Sequence, residues 1–406
     1  MAIAALSLST GSLPCVEDLV DRARGLRPLL AERAEATERD RRVSDDTTAQ
    51  LKKAGLHRLG QPRRFGGYGC PPSAMLQVGF ELGRACASTS WCTVIANSNA
   101  WFTSYWPLEV QKEVWGNSPD SLVCLSGVPT GKCRAVEGGY EIWGAWPFAS
   151  NADNCDWAVV SAPLIETDGA APETAWFMVR RGELQIDHTS WNVAGMSGTG
   201  SKTLTRSEPL FVPGRRMLKL SQVIQDTTPG RSVPENNMAA YNFSTLGGVI
   251  LVAPMLGAAQ GALDWFVETM KTKLKTTIKA GAAAPASRTP AIQARVGDAS
   301  SRIDAAMALL TSSLDRFEAK IAAGEPVSVS ERVRVRRDIG FAARQASQAI
   351  SIIMEGAGAS AMSMDVPVQR FWRDITAGTR HVTLDADGIF AMFGQERFGL
   401  DPVGPF

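Results

Sequence analysis

The chain has 406 residues, 45% hydrophobic and 20% charged, enough to bury a large core in two or three domains or one elaborate helical and β unit. With 42 Lys and Arg against 41 Asp and Glu, the balance argues against nucleic acid or an acidic membrane surface as partner and suits a small neutral or aromatic substrate. The seven cysteines are odd in number, form no CxxC pair and stop at Cys155, so neither a disulfide framework nor a metal site is expected and the thiols read as reduced in a cytoplasmic protein.

The first fifteen residues are mildly apolar without Lys or Arg and read as a loose tail rather than a secretory signal. From Val16 the three- and four-residue steps through Leu26, Leu29, Leu30 and Ala34 predict an amphipathic helix. Ser44-Asp45-Asp46 caps the next one, and Phe65-Gly66-Gly67-Tyr68-Gly69 breaks the pattern as a tight loop. Residues 121–213 switch to β-rich runs separated by Gly, Pro, Asn and Asp, with Gly138-Gly139 marking a hairpin turn. Residues 226–237 read as a boundary loop, after which helices resume. The small-residue run 246–262 is interrupted by Pro254 and Gln260, short of the about 18 to 20 apolar residues a membrane span needs.

The clearest periodicity is Ile292, Val296, Ala299, Ile303, Met307, Leu310, Leu314, Phe317, Ile321, which predicts one long helix ending near Gly324. A second runs from about Ser330 to Met362 with Ile339, Ala343, Ala346, Ile350 and Ile353 inward. With helices near 242–280 and after 367, the C-terminal part is expected to be an up-and-down four-helix bundle. The expected class is therefore α+β: helical residues 1–119, a central β-barrel domain over 120–230, and the bundle over 231–406. No GxGxxG follows a strand. Gly195 to Thr203 approaches a phosphate loop, but Lys202 falls one residue late and a strand-like run follows it.

Three stretches can carry chemistry. Trp146-Pro147-Phe148-Ala149-Ser150 sets aromatic faces beside a hydroxyl, which suits a planar cofactor. Gly198-Thr199-Gly200-Ser201 offers backbone N–H groups and small hydroxyls to a ring or phosphate. Arg370-Phe371-Trp372-Arg373-Asp374 precedes His381, one of only three histidines, so a titrating group stands on a stiff helical scaffold as a proton donor would. A core tryptophan, a bulged turn and an ionic clamp with a capping histidine are the alternatives.

The order of these motifs resembles the acyl-CoA dehydrogenase superfamily, and within it the oxygenase components of two-component flavin-dependent monooxygenases. The marks are Ser88-Thr89-Ser90-Trp91, Glu113-Val114-Trp115-Gly116, Trp146 to Ser150, Gly195 to Ser201, Gln369 to Asp374, Ala377 to His381 and Phe393-Gly394. Where many dehydrogenases place a glutamate base in a Glu-Gly-Thr step, this chain reads Ala377-Gly378-Thr379, which disfavours α,β-desaturation. An acyl-CoA dehydrogenase-type flavoprotein and an N-oxygenase remain the alternatives.

The resemblance implies diffusible reduced FMN or FAD delivered by a separate NAD(P)H-dependent flavin reductase, reaction with O2 through a C4a-hydroperoxide, and a homotetramer. It implies Ser150 near flavin N5, His381 holding or protonating the peroxide, Trp146 and Phe148 walling the ring, and Thr199, Gly200 and Ser201 close to it. Lys273 and Lys275 fall where relatives hold the flavin phosphate. Phenol-hydroxylating relatives carry a histidine after the Ser-Thr-x-Trp motif, whereas this chain has Asn97 and Asn99 there. An indole-like or polycyclic aromatic is therefore expected over a simple phenol, in a pocket lined by Trp101, Phe102 and Tyr105 with Asn97 or Asn99 as polar anchor.

Overall fold

The computed structural model describes residues 13–165, 171–276 and 283–406, beginning with α1 (Val16–Arg39), α2 (Asp45–Lys53), α3 (Pro72–Gly83), α4 (Ala87–Thr103) and α5 (Leu108–Trp115). Ser44 caps α2 by accepting from Thr47 N, as its place before two aspartates suggested.

The β segment follows as β1 (Val123–Leu125), β2 (Lys132–Val136), β3 (Gly139–Ala149), β4 (Trp157–Leu164), β5 (Glu173–Arg180), β6 (Gln185–Asp187), β7 (Lys202–Pro213) and β8 (Met217–Lys219). It forms two four-stranded sheets, ordered β1-β4-β5-β8 and β2-β3-β7-β6. The β2–β3 hairpin closes through Glu137 and Gly138, since Val136 pairs with Gly139. Ile142, Trp146, Val160, Phe177, Leu204 and Val212 belong to a core that these strands share, separate from the helical core.

After α6 (Leu220–Ile224) come α7 (Phe243–Thr272), a small hairpin of β9 (Leu274–Thr276) and β10 (Ala283–Pro285), α8 (Pro290–Ala323), α9 (Val329–Ala357), α10 (Pro367–Gly378) and α11 (Ala386–Arg397). The stripe read from the sequence is the inner face of α8: Ile292, Ala299, Ile303, Leu310, Leu314 and Phe317 are buried. A capping box between Ser328 and Glu331 starts α9 just before the expected Ser330. Gly358, at φ 75°, ends it, and residues 359–362 continue only as a 3₁₀ turn.

Helix α7 has the length and mean hydropathy, 1.7, of a membrane span, yet 89% of its apolar window is buried inside the protein. Its small residues serve helix packing. A Cβ on Gly257 would lie 2.1 Å from Phe80 O and one on Gly83 2.7 Å from Pro254 O, so α3 and α7 meet backbone to backbone. Pro254 sits within α7 without ending it. One continuous core therefore joins the first helices to the last ones.

Candidate functional site

The β3 strand ends in an irregularity that decides which aromatic side chain leaves the core. Strict alternation would put Trp146 and Phe148 on the same face. The β3–β7 register shifts between Trp146 and Ala149, and Phe148 takes a left-handed φ of 63°. Trp146 consequently stays inside, fully buried with Nε1 donating to Ser161 O at 2.8 Å, while Phe148 is 60% exposed. The sequence expectation of two walling aromatics is corrected here: Trp146 is a core residue of the β sheets. Phe148 instead stands perpendicular to Trp191, ring centroids 6.2 Å apart.

Directly after this bulge, Ser150 enters a chain of hydroxyls. Trp91 of α4 donates from Nε1 to Ser150 Oγ at 3.2 Å, Ser150 and Ser201 lie 2.7 Å apart, and Ser201 and Thr199 2.7 Å apart. Thr199 Oγ1 ends the chain by donating to Met196 O at 2.7 Å. Each hydroxyl has one proton. Thr199 spends its own on Met196, so Ser201 donates to Thr199 and Ser150 to Ser201. Ser150 therefore receives from Trp91 and keeps its remaining lone pair as an acceptor.

The turn bearing Thr199 and Ser201 is pinned from several sides. Asn151 N donates to Thr199 O at 2.9 Å. Met196 N donates to Asp374 Oδ1 of α10 at 2.5 Å, and Arg373 donates to Ala194 O at 2.7 Å while pairing with Glu38 of α1. Burial pushes the Asp374 carboxyl up to about 6. Gly198 lies so close to α1 and α4 that a Cβ would sit 2.6 Å from Thr37 Cγ2 and 2.9 Å from Ser88 Cβ. Gly200 spends its N–H on Ser197 O at 3.2 Å, so that amide is not offered outward.

His381 follows α10 and meets the same indole from another side, with ring centroids of Trp91 and His381 5.7 Å apart in an edge-on arrangement. Trp91 thus touches both Ser150 and His381. The imidazole is exposed at the protein surface, although many protein atoms surround it. Lost hydration first, and then the Arg336 cation of α9, hold its pKa down to about 4, so it is neutral at physiological pH. The other histidines are otherwise engaged: His57 lies 2.7 Å from Asp120, and His188 sits beside Lys202 at 3.3 Å.

The remaining expected residues are not brought to this cluster. Asn97 spends its amide on Leu56 O and Thr93 O and accepts from Gly60 N, and Asn99 donates to Val123 O at 2.8 Å. Both are buried, as are Trp101, Phe102 and Tyr105, whose hydroxyl donates to Tyr241 O at 2.5 Å. The three rings build an aromatic core with Trp106, Trp176 and Phe243 rather than an open pocket wall. Lys273 Nζ donates to Ala357 O at 2.7 Å and Ser360 Oγ at 2.9 Å, closing the end of α9. From Gly248, which packs near Thr383, to Lys273 the rise along α7 is roughly 37 Å at 1.5 Å per residue. Within one chain Lys273 and His381 therefore stand at opposite ends of α7. Lys275 pairs in β9 with Ala284, and its side chain lies outside the described part.

Three contributors went unassigned in the sequence. Trp91 was visible only as part of a motif. Thr383 contacts His381 Nδ1, with Oγ1 at 2.9 Å and N–H donating at 3.3 Å. Arg336 carried a signal that could have been used, being a charge on the inward stripe of α9 between Val333 and Gly340.

The residues present fit a flat tricyclic ring with a donor edge: exposed Phe148 beside half-buried Trp191, an acceptor at Ser150, and a neutral imidazole across Trp91. A recess of about 490 Å³ at the α8–α9 turn, by contrast, holds the Lys320–Glu331 ion pair and a helix cap, with no comparable grouping. No carboxylate stands at Ala377 for desaturation, and buried Asp374 is committed to Met196 N.

Comparison with known proteins bears on the family and the fold. The chain matches the family described as Acyl-CoA dehydrogenase, N-terminal domain, over residues 20–116, and Acyl-CoA dehydrogenase, C-terminal domain, over residues 249–386. It is 35% identical over 383 residues to the flavin-dependent monooxygenase, oxygenase subunit HsaA, of Rhodococcus jostii (strain RHA1), covering 94% of this chain and 98% of that one. It is 32% identical to the FADH(2)-dependent resorcinol hydroxylase, oxygenase component, of Rhizobium sp. (strain MTP-10005), covering 96% of each. The crystal structure of 3-HSA hydroxylase from Rhodococcus sp. RHA1 superposes with a TM-score of 0.88 at 34% identity, over 95% of this chain and 98% of that one. The chain belongs to the two-component flavin-dependent monooxygenases of the acyl-CoA dehydrogenase fold, as an oxygenase component that uses reduced flavin supplied by a separate reductase.

Proposed function

We propose that this oxygenase hydroxylates a small electron-rich aromatic compound, a phenol or a fused heteroaromatic such as an indole. The observation that carries the reading is one indole, Trp91, holding a hydroxyl acceptor and a neutral imidazole at two of its sides beside the exposed Phe148. When bound, reduced flavin supplies the electrons that let one oxygen atom of O2 enter the substrate while the other leaves as water.

The chain's own groups supply position and proton control. Ser150 Oγ would meet the flavin as an acceptor, because its proton is committed to Ser201. Phe148 and Trp191 would wall the ring and exclude water. His381, neutral and without a carboxylate partner among the described residues, would hold a proton at Nε2 for the oxygen being transferred.

Preference for an indole over a phenol drew on Asn97 and Asn99 as pocket residues. With both amides engaged in the core that support lapses, and the likeness to a resorcinol hydroxylase puts phenols on an equal footing. We also infer a homotetramer, supported by exposed apolar side chains at Val382, Met364, Phe398, Leu400 and Val403 that a second copy would cover. A cytoplasmic location is in keeping with free thiols at all seven cysteines.

The test supplies the protein with a generic NADH-dependent flavin reductase, FMN or FAD, and isotopically labelled O2, against phenol, resorcinol, indole and indole-3-acetate. One labelled oxygen atom in at least one product is expected. Release of all reducing equivalents as H2O2 with every ring compound would overturn the assignment.

A further inference from the structure

His381 is supported from behind by an arrangement that the oxygenase reading does not require. Its Nδ1 accepts from the backbone N–H of Thr383 at 3.3 Å and lies 2.9 Å from Thr383 Oγ1. A nitrogen that accepts an N–H cannot carry its own proton there. In the neutral ring the proton must then sit on Nε2, and an imidazolium would set Nδ1–H against the Thr383 N–H.

The Thr383 segment is in turn held by Arg336, whose Nη2 donates to Thr383 O at 3.0 Å. Arg336 is 1% exposed, its Nε and Nη1 have no partner, and among the described residues no carboxylate pairs with it or with His381. A buried cation without a counter-ion is costly, and burial lowers its own pKa to about 10. α7 leaves space for it: a Cβ on Gly248 would lie 2.7 Å from Arg336 Nη1 and 3.2 Å from Thr383 O. Trp91 on α4 packs against the imidazole, Arg336 on α9 and Gly248 on α7 meet at Thr383 beside it, and Arg380 and Asp385 are the nearest charged residues in its own loop by sequence. Asp374 on α10 is bound to Met196 N, and Asp387 on α11 pairs with Arg344.

We propose that Arg336 and Thr383 are positioning residues that fix His381 as the Nε2–H imidazole, turning Nδ1 toward the protein and presenting Nε2 to the site as a donor. Thr383 selects the tautomer through its amide. Arg336 anchors the carbonyl of that same residue and sets a positive charge behind the ring, opposing a second proton. Whether the donor serves oxygen transfer rests on the function proposed above; the tautomer does not.

The experiment is magic-angle-spinning ¹⁵N NMR of the flavin-free full chain labelled only at histidine, with the His381 signals identified by their loss in His381→Asn. Wild-type protein is expected to show an unprotonated Nδ1 and a protonated Nε2, unchanged from about pH 8 to about pH 5. In Arg336→Met the protonation midpoint should rise by about one pH unit or more, and the Nδ1–H tautomer should appear. If that variant does not fold, Gly248→Ala displaces the guanidinium from Thr383 O and should shift the signals in the same direction. A wild-type His381 protonated on Nδ1, or cationic at neutral pH, overturns the proposal, as do folded variants whose titration matches wild type. If the tautomer is as stated but no aromatic compound is oxygenated, the function reading alone fails.

Discussion

At the scale of single residues, the site depends on one backbone irregularity. Trp146 and Phe148 are two apart on a strand, yet one is buried and the other 60% exposed, because the bulge and the left-handed Phe148 reverse the alternation. Phe148→Gly should leave stability unchanged or raise it by about 1 kcal/mol by relieving that backbone, while weakening flavin binding several-fold in a fluorescence titration. Ser150→Ala removes, besides its bonds to Trp91 and Ser201, the acceptor offered to the flavin, worth about 1.4 kcal/mol, so the ratio of hydroxylated product to H2O2 should fall about tenfold. An unchanged ratio would show that the hydroxyl chain is structural. The aromatic pattern showed that ring systems cluster here, but the sequence could not show which of them turns outward.

At the scale of elements, α7 is the piece against which both helical parts close. Its glycines look like helix weakeners in the sequence and act as contact points in the structure. Gly257→Ala puts a methyl group 2.1 Å from Phe80 O, and because backbone cannot give way as a side chain tip can, a loss of about 3 kcal/mol or failure to fold is expected in denaturant unfolding. Gly297, exposed on α8 with nothing within 4 Å of its would-be Cβ, is the counterpart: Gly297→Ala should stabilise by up to about 1 kcal/mol. The α8 stripe was legible because a three- and four-residue apolar period has one physical cause, a single buried face. The α3–α7 contact was not, since a glycine carries no signal of what it approaches.

For the whole molecule, pH couples distant groups to folding. His57 and His381 are both held near pKa 4, so between about pH 6.5 and 4 the unfolded chain takes up protons that the folded chain refuses, and stability falls as the pH drops. Asp374, raised to about 6, works in the opposite direction, because between about pH 6 and 4 the folded chain takes up its proton first. Thermal unfolding followed from about pH 7 to about pH 4.5 should show a falling Tm, shallower in His57→Gln and steeper in Asp374→Asn. Identical slopes in all three proteins would refute this assignment of the protons.

Composition and periodicity by themselves determined the helical, β and helical order and the long helices of the C-terminal part, while the family was legible only as a resemblance carried by motifs along nearly the whole chain. These properties are local or additive, so a linear string records them. Tertiary structure alone decided that Asn97 and Asn99 bind backbone in the core, that Lys273 closes a helix end far from His381, and that Asp374 holds Met196 across 178 positions of sequence. Hydrogen bonding explains the difference: a polar side chain acts according to the partner that folding brings to it, and neither its own type nor its neighbours in the chain name that partner.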